Sequence, residues 1–345
     1  MKLLHLLFSV LLMACTSENV STDTVIDEDP ILVVSDLIEG DITNDSLYVE
    51  RAKINIERKR FTEALRDLER ANLLDSTKGE THYLLGDVLL ELAKQGDGSK
   101  KTLVLASNHF FTAVDRDFNT ALSYKKGGEI LLYFAEYIKS IDLLTRSVSI
   151  NPNDFHTYIL LGYSYRGSDE IESSIASFKK SISIKSENEE AYLQLGNLYF
   201  ANQDSAAIQY YKTAIDINPS SRDAYYNLGL LYHTLLMYSE SQDAYHKIVD
   251  LEIEDGIYEK AIYNLGFMFQ EDLKDYRNAI NYFIELTRVN SNHYMAYFRM
   301  GICYEGLGDV RNAEQYYRKT LDINPEFKEA TEKLNKLLSD NEKYK

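Results

Sequence analysis

A small residue returns along this chain at nearly fixed intervals, and that period restricts the fold more than any other feature. Gly86, Gly128, Gly162, Gly196, Gly229, Gly266 and Gly301 are spaced by 42, 34, 34, 33, 37 and 35 residues, and Ala52 stands 34 before Gly86. Four residues before each small residue stand Tyr48, His82, Tyr124, Tyr158, Tyr192, Tyr225, Ile262 and Tyr297. Three after most of them stand Leu89, Leu131, Tyr165, Tyr199, Tyr232, Phe269 and Tyr304. A second small column follows, Ala64, Ala106, Ser140, Ser174, Ala207, Ser241, Ala279 and Ala313. Four positions later comes a large apolar column, Leu68, Phe110, Leu144, Phe178, Tyr211, Tyr245, Phe283 and Tyr317. Pro152, Pro219 and Pro325 close their repeats at matching places.

Within a unit the apolar set falls at i, i+3, i+4 and i+7, as in Tyr225, Leu228, Gly229 and Tyr232, which is one face of an α-helix. A glycine inside a helix costs about 1 kcal/mol against alanine. A column of them therefore requires a close helix crossing, with the second small column on its other side. Proline then stops the second helix. Each helix pair leaves an apolar face uncovered until its neighbour stacks on it.

These columns resemble the tetratricopeptide repeat, a helix–turn–helix unit of 34 residues with the pattern W-x₂-L-G-x₂-Y…A-x₃-F…P. Eight units cover residues 45–327, with tyrosine in place of the family's tryptophan. The resemblance implies an all-α, right-handed solenoid of about eight repeats, its first helices lining a concave surface. Residues 328–345 read as a charged capping helix and tail. Two units are long: the excess near Lys94–Thr102 predicts a loop between paired helices, and that near Leu251–Gly256 a lengthened turn. Gln95–Lys101 lacks the spacing of a phosphate loop.

Residues 1–14 place one lysine before an apolar run shorter than the roughly 20 residues that span a bilayer. That is the pattern of a secretory signal. Leu12-Met13-Ala14-Cys15 resembles the lipobox of bacterial lipoproteins. It implies a lipid on the Cys15 thiol and an outer-membrane anchor, facing the periplasm or the surface. Residues 15–44 read as an extended acidic tether, because positions 16–44 hold eight acidic residues and no Lys or Arg. The apolar patch Ile31-Leu32-Val33-Val34 interrupts it, as a segment packed on the first repeat or as a short strand.

The charge balance, 37 Lys+Arg against 54 Asp+Glu for a net −17, opposes a nucleic-acid partner, which needs a basic field. Two cysteines, Cys15 and Cys303, exclude a disulfide scaffold and argue against a Cys-based zinc site. None of the seven histidines forms H-E-x-x-H, and neither G-x-S-x-G nor G-x-G-x-x-G occurs. Ser177-Phe-Lys-Lys180 is an S-x-x-K whose phenylalanine belongs to the core column. No catalytic residue, metal or cofactor is expected.

Function is then expected on the residues flanking the core stripe of the first helices. Two before the glycine column stand Gln194, Asn227, Asn264 and Arg299; three before it, Leu193, Tyr226, Tyr263 and Phe298; one after it, Asn197, Leu230, Phe267 and Ile302. A row of amides beside a row of exposed aromatics would bond the main chain of an extended peptide and take its side chains. It resembles the asparagine ladder of peptide-binding members of the family. Asn197, Asn227 and Lys260 also match a chaperone-tail carboxylate clamp, but Leu193 and Asn264 depart from it. His156, Tyr163, Arg166 and Lys126 hold comparable places in earlier repeats with a weaker pattern. The expected role is a non-catalytic interaction scaffold or assembly factor of the bacterial cell envelope, binding a protein or peptide. The alternative is a substrate-capture lipoprotein for a nutrient or glycan, which the missing tryptophans disfavour. The oligomeric state stays open.

Overall fold

The computed structural model describes residues 29–97 and 99–342. The signal segment, Cys15 and the first half of the expected tether lie outside the described residues. Eighteen helices and no strand are present among them. The chain divides into two units, Met1–Asn119 and Thr120–Lys345.

In unit 1, α1 (Pro30–Gly40) precedes two hairpins, α2 (Asp45–Glu57) with α3 (Phe61–Leu74) and α4 (Gly79–Leu92) with α5 (Lys100–Asp115). Helix α1 corrects the tether expectation. Ile31, Val34 and Ile38 recur at helical spacing, and Val34 and Ile38 join the core of Tyr48, Val49 and Ala52. Asp29 caps the helix by accepting from the Ile31 N–H at 3.0 Å, and Pro30 stands in the first turn. The acidic residues do not keep the segment extended, and one of them, Asp29, is paired from just beyond the end of α2. Arg58 donates to Asp29 at 2.6 and 2.9 Å. Arg51 grips the buried Asp67 at 2.7 and 3.0 Å and reaches Ser35 of α1 at 3.2 Å. Between α4 and α5 a π-helical turn, Ala93–Asp97, absorbs most of the extra length, with Gly96 at φ 152°.

Unit 2 holds six hairpins: α6 (Thr120–Tyr133) with α7 (Tyr137–Ile150), α8 (Phe155–Gly167) with α9 (Ile171–Ile184), α10 (Glu189–Ala201) with α11 (Ala206–Ile217), α12 (Arg222–Thr234) with α13 (Tyr238–Asp250), α14 (Gly256–Glu271) with α15 (Tyr276–Val289), and α16 (Tyr294–Gly306) with α17 (Val310–Ile323). Helix α18 (Lys328–Glu342) covers the last hairpin by burying Ala330 and Leu334 against Tyr317. The expected long turn lies between α13 and α14.

The glycine column behaves as the crossing argument requires. A Cβ at Gly162 would stand 2.6 Å from the ring of Phe178, and one at Gly196 2.5 Å from the ring of Tyr211. Where the second small column carries serine, the buried hydroxyl donates to the carbonyl of the opposing glycine: Ser140 to Gly128 at 2.8 Å, Ser174 to Gly162 at 2.7 Å, Ser241 to Gly229 at 2.8 Å. Serine thus replaces alanine there without leaving a polar group unpaired. Each hairpin of unit 2 turns through one left-handed residue, Ala135, Asp169, Gln203, Leu236, Lys274 or Gly308. First helices of neighbouring repeats touch, as in α10 with α12 and α12 with α14, so they line the inner face of the unit-2 stack.

Candidate functional site

The inner face of unit 2 carries the expected amide row, but the amides are already bonded to one another and to the core. Gln194 Oε1 accepts from Arg166 Nη1 at 2.7 Å and from Asn197 Nδ2 at 3.5 Å. Asn197 Oδ1 accepts from the Tyr211 hydroxyl at 2.9 Å and from Asn227 Nδ2 at 3.0 Å. Asn264 Nδ2 donates to the Tyr245 hydroxyl at 3.0 Å and to that of Tyr226 at 3.5 Å.

The cause lies in the large apolar column. Where that column holds tyrosine, the ring lies over the glycine and its hydroxyl emerges near the inner face, needing a partner. Asn197 serves Tyr211, Asn264 serves Tyr245, and Glu305 accepts from Tyr317 at 2.6 Å. Burial pushes the pKa of each of these three phenols up, helped at Tyr317 by Glu305. The sequence reading missed these tyrosines; the signal was a hydroxyl in a column otherwise filled by Phe and Leu.

Further along, Arg299 donates to Glu271 at 3.0 Å and to the Tyr263 hydroxyl at 3.3 Å, and its guanidinium lies 4.7 Å from the centre of the Phe267 ring. Tyr263 and Phe267 stack at 6.4 Å. His233 approaches Phe267 edge-on and pairs through Nε2 with Asp272 at 2.8 Å. Tyr226, Tyr263 and Phe267 are half-buried, so the aromatics do not stand free as expected. Phe298 is buried at 8% exposure, edge-on to Phe327, which leads into the capping helix and covers it. It does not belong to the open face. Toward the earlier repeats, Tyr163 donates to Glu190 at 2.6 Å and lies under Arg166, which extends the network by one hairpin.

Three polar functions of the row have no partner among the described residues: Gln194 Nε2, Asn227 Oδ1 and Asn264 Oδ1. The face therefore offers one donor and two acceptors over three successive repeats. Cys303 lies fully buried in the core, where burial pushes its thiol up to about 12. Among the described residues no three His, Cys, Asp or Glu converge as metal ligands, and no helix is long and apolar enough to cross a membrane.

Family models described as the tetratricopeptide repeat match residues 155–188, 259–293 and 294–327, and a TPR repeat model matches 201–235. Tetratricopeptide repeats are recognised over these four stretches. All four matches fall in unit 2, and that over 201–235 pairs the second helix of one hairpin with the first of the next. The C-terminal part of a TPR repeat-containing protein from Cytophaga hutchinsonii superposes with a TM-score of 0.55 at 20% identity, over 67% of this chain and 92% of that one. That likeness shows the fold. YrrB, described as a TPR protein with an unusual peptide-binding site, gives 0.48 at 19% identity over 55% and 95%. MamA from Desulfovibrio magneticus RS-1 gives 0.46 at 22% over 51% and 96%. No curated protein matches the sequence.

Proposed function

We propose that the inner face of unit 2 binds an extended segment of a partner protein, and that the chain acts as a non-catalytic scaffold or assembly factor of a bacterial cell envelope. The observation that carries this reading is the set of unused valences on Gln194, Asn227 and Asn264, beside the half-buried rings of Tyr226, Tyr263 and Phe267. A main chain supplies both donors and acceptors, so it answers all three. The existing bonds hold the amides in place, which lowers the entropy lost on binding.

The lipobox-like Leu12–Cys15 supports a lipid anchor at Cys15 in the outer membrane. Acyl chains contribute about 0.8 kcal/mol per buried CH₂. Cys15→Ser is expected to release the protein from the membrane fraction, and retention there would remove the anchor.

The binding face is tested by capture on immobilised full-length chain from detergent-solubilised envelope. A stoichiometric protein retained by the wild type and lost with Asn227→Ala supports the scaffold. A retained oligosaccharide, with no protein, supports substrate capture instead. Retention undiminished by Asn227→Ala removes the amide row from the site.

A further inference from the structure

On the second-helix side of unit 2 the furrow between α11 and α13, floored by α12, opens to about 260 Å³. Neighbouring hairpins fill the matching place with a ring of their own. The residue before the large apolar column is Tyr210 in α11, Tyr282 in α15 and Tyr316 in α17. Each stacks on the aromatic residue three after the glycine: Tyr210 on Tyr199 at 5.0 Å, Tyr282 on Phe269 at 5.4 Å and Tyr316 on Tyr304 at 5.3 Å. Tyr316 also stacks on Tyr297, four before the glycine, at 6.4 Å. In α13 the same position is Ala244, while Tyr225 and Tyr232 hold the places of Tyr297 and Tyr304. The opening is therefore an aromatic stack with one ring missing, lined by Tyr225, Leu228 and Tyr232.

The polar groups around the gap follow the same internal pattern. In two adjacent furrows the residue after the large apolar column serves a phenol: Lys179 donates to the Tyr199 hydroxyl at 3.0 Å, and His246 Nε2 lies 2.9 Å from that of Tyr282. The corresponding Lys212 lines the opening, is exposed, and has no hydrogen bond or ion pair among the described residues. Lys247 lines it too, at the position of Lys319, which lies over the Tyr297 ring at 5.9 Å. Glu240 and Asp243 complete the α13 wall, both exposed and without an ion pair among the described residues. The three hairpins that supply their own ring carry Ala, Asn or Gln at those two positions.

We propose that this opening takes a tyrosine side chain of a partner protein, its ring against Tyr225 and Tyr232, its hydroxyl accepting from Lys212, and a basic residue beside it in the partner facing Glu240 and Asp243. The stack selects an aromatic ring. The unused Lys212 ammonium selects tyrosine over phenylalanine. The two carboxylates that no cation of the chain answers select the basic neighbour by charge complementarity. A second copy fits less well: Tyr133, the one exposed tyrosine among the described residues, stands between Glu129 and Glu136. The amides of the inner face take no part, so this site stands or falls separately from that reading.

The test titrates the full chain, ¹³C-methyl-labelled at alanine and leucine, with the peptide Ac-Gly-Arg-Tyr-Arg-Gly-NH₂. Saturable shifts of the Ala244 and Leu228 methyls are expected. Leucine in place of the peptide's tyrosine should weaken binding about tenfold, and citrulline in place of both arginines about tenfold as well. Lys212→Met should bring the tyrosine peptide to the affinity of its phenylalanine analogue. Ala244→Tyr restores the ring that the neighbouring hairpins carry, so it should abolish the Leu228 shift and leave the unfolding midpoint equal or higher. The peptide analogues decide on the wild type alone should that variant not fold. Equal affinity for the leucine or the citrulline peptide, wild-type binding by folded Ala244→Tyr, no effect of Lys212→Met, or no Ala244 shift at millimolar peptide would each overturn the proposal. Self-association that Tyr133→Ala dissolves would overturn it too, by assigning the opening to a second copy.

Discussion

Gly196→Ala tests the packing account at its tightest point. The new Cβ would stand 2.5 and 2.6 Å from Tyr211 Cε1 and Cδ1, where ordinary contact begins near 3.4 Å. The ring must therefore retreat by 3.4 − 2.5, or 0.9 Å. Tyr211 is fully buried and its hydroxyl is tied to Asn197 at 2.9 Å, so it has little room to yield. Overpacking of this kind costs about 1–3 kcal/mol, and a strained or lost hydroxyl bond adds about 1 kcal/mol. The better helix propensity of alanine returns about 1 kcal/mol. The net expectation is a loss of about 1–3 kcal/mol, read from the denaturant midpoint followed by circular dichroism. Gly229→Ala, whose Cβ would stand 2.8 Å from the Tyr245 ring, should lose less. Repeat 1 pairs Ala52 with Leu68 at the same crossing, so adding Tyr211→Leu to Gly196→Ala should recover part of the loss. A Gly196→Ala protein as stable as the wild type would refute the reasoning.

Other outcomes follow from single contacts. Asn264→Ala removes the donor to the hydroxyl of Tyr245, a residue 1% exposed, and should cost about 1–3 kcal/mol in a denaturant melt, whereas Asn227→Ala leaves Asn197 bonded to Tyr211 and should cost less than about 1 kcal/mol. Leu236 holds a φ of 61° at 70% exposure, so Leu236→Gly should raise stability by about 1 kcal/mol in the same melt; a decrease would contradict the turn assignment. Asp29, hydrogen-bonded by Arg58, has its pKa lowered from 3.8 to about 2. Its contribution to holding α1 is complete above pH 3.8 and is lost as the pH falls through about 2, so α1 amide protection should drop in that window and lose this step in Arg58→Gln.

The hairpins were legible because their signal is local and repeated. A small residue, a ring sixteen or so positions later and a terminating proline occupy one unit, and eight copies leave little freedom of phase. Helix α1 was hidden because its acidic side chains matched a tether, while the groups that hold it, Arg58 on Asp29 and Arg51 on Ser35, come from the hairpin that follows. The left-handed turns could not be read, since only Gly308 among those of unit 2 is a glycine. The amide row was visible as residue types. Its bonding was not, because it depends on tyrosine hydroxyls from the second helices and, at Asn197, on the following repeat. Phe298 was misplaced for a similar reason: its cover, Phe327, comes from beyond the last hairpin.

The most direct test of the central claim is photocrosslinking in the native envelope, with benzoylphenylalanine at Leu230 on the inner face and at Arg318 on the outer helix α17. A protein adduct from position 230 and none from 318 is the predicted result. Equal adducts from both positions, or none from 230 in a folded protein, would contradict a scaffold that works through its inner face.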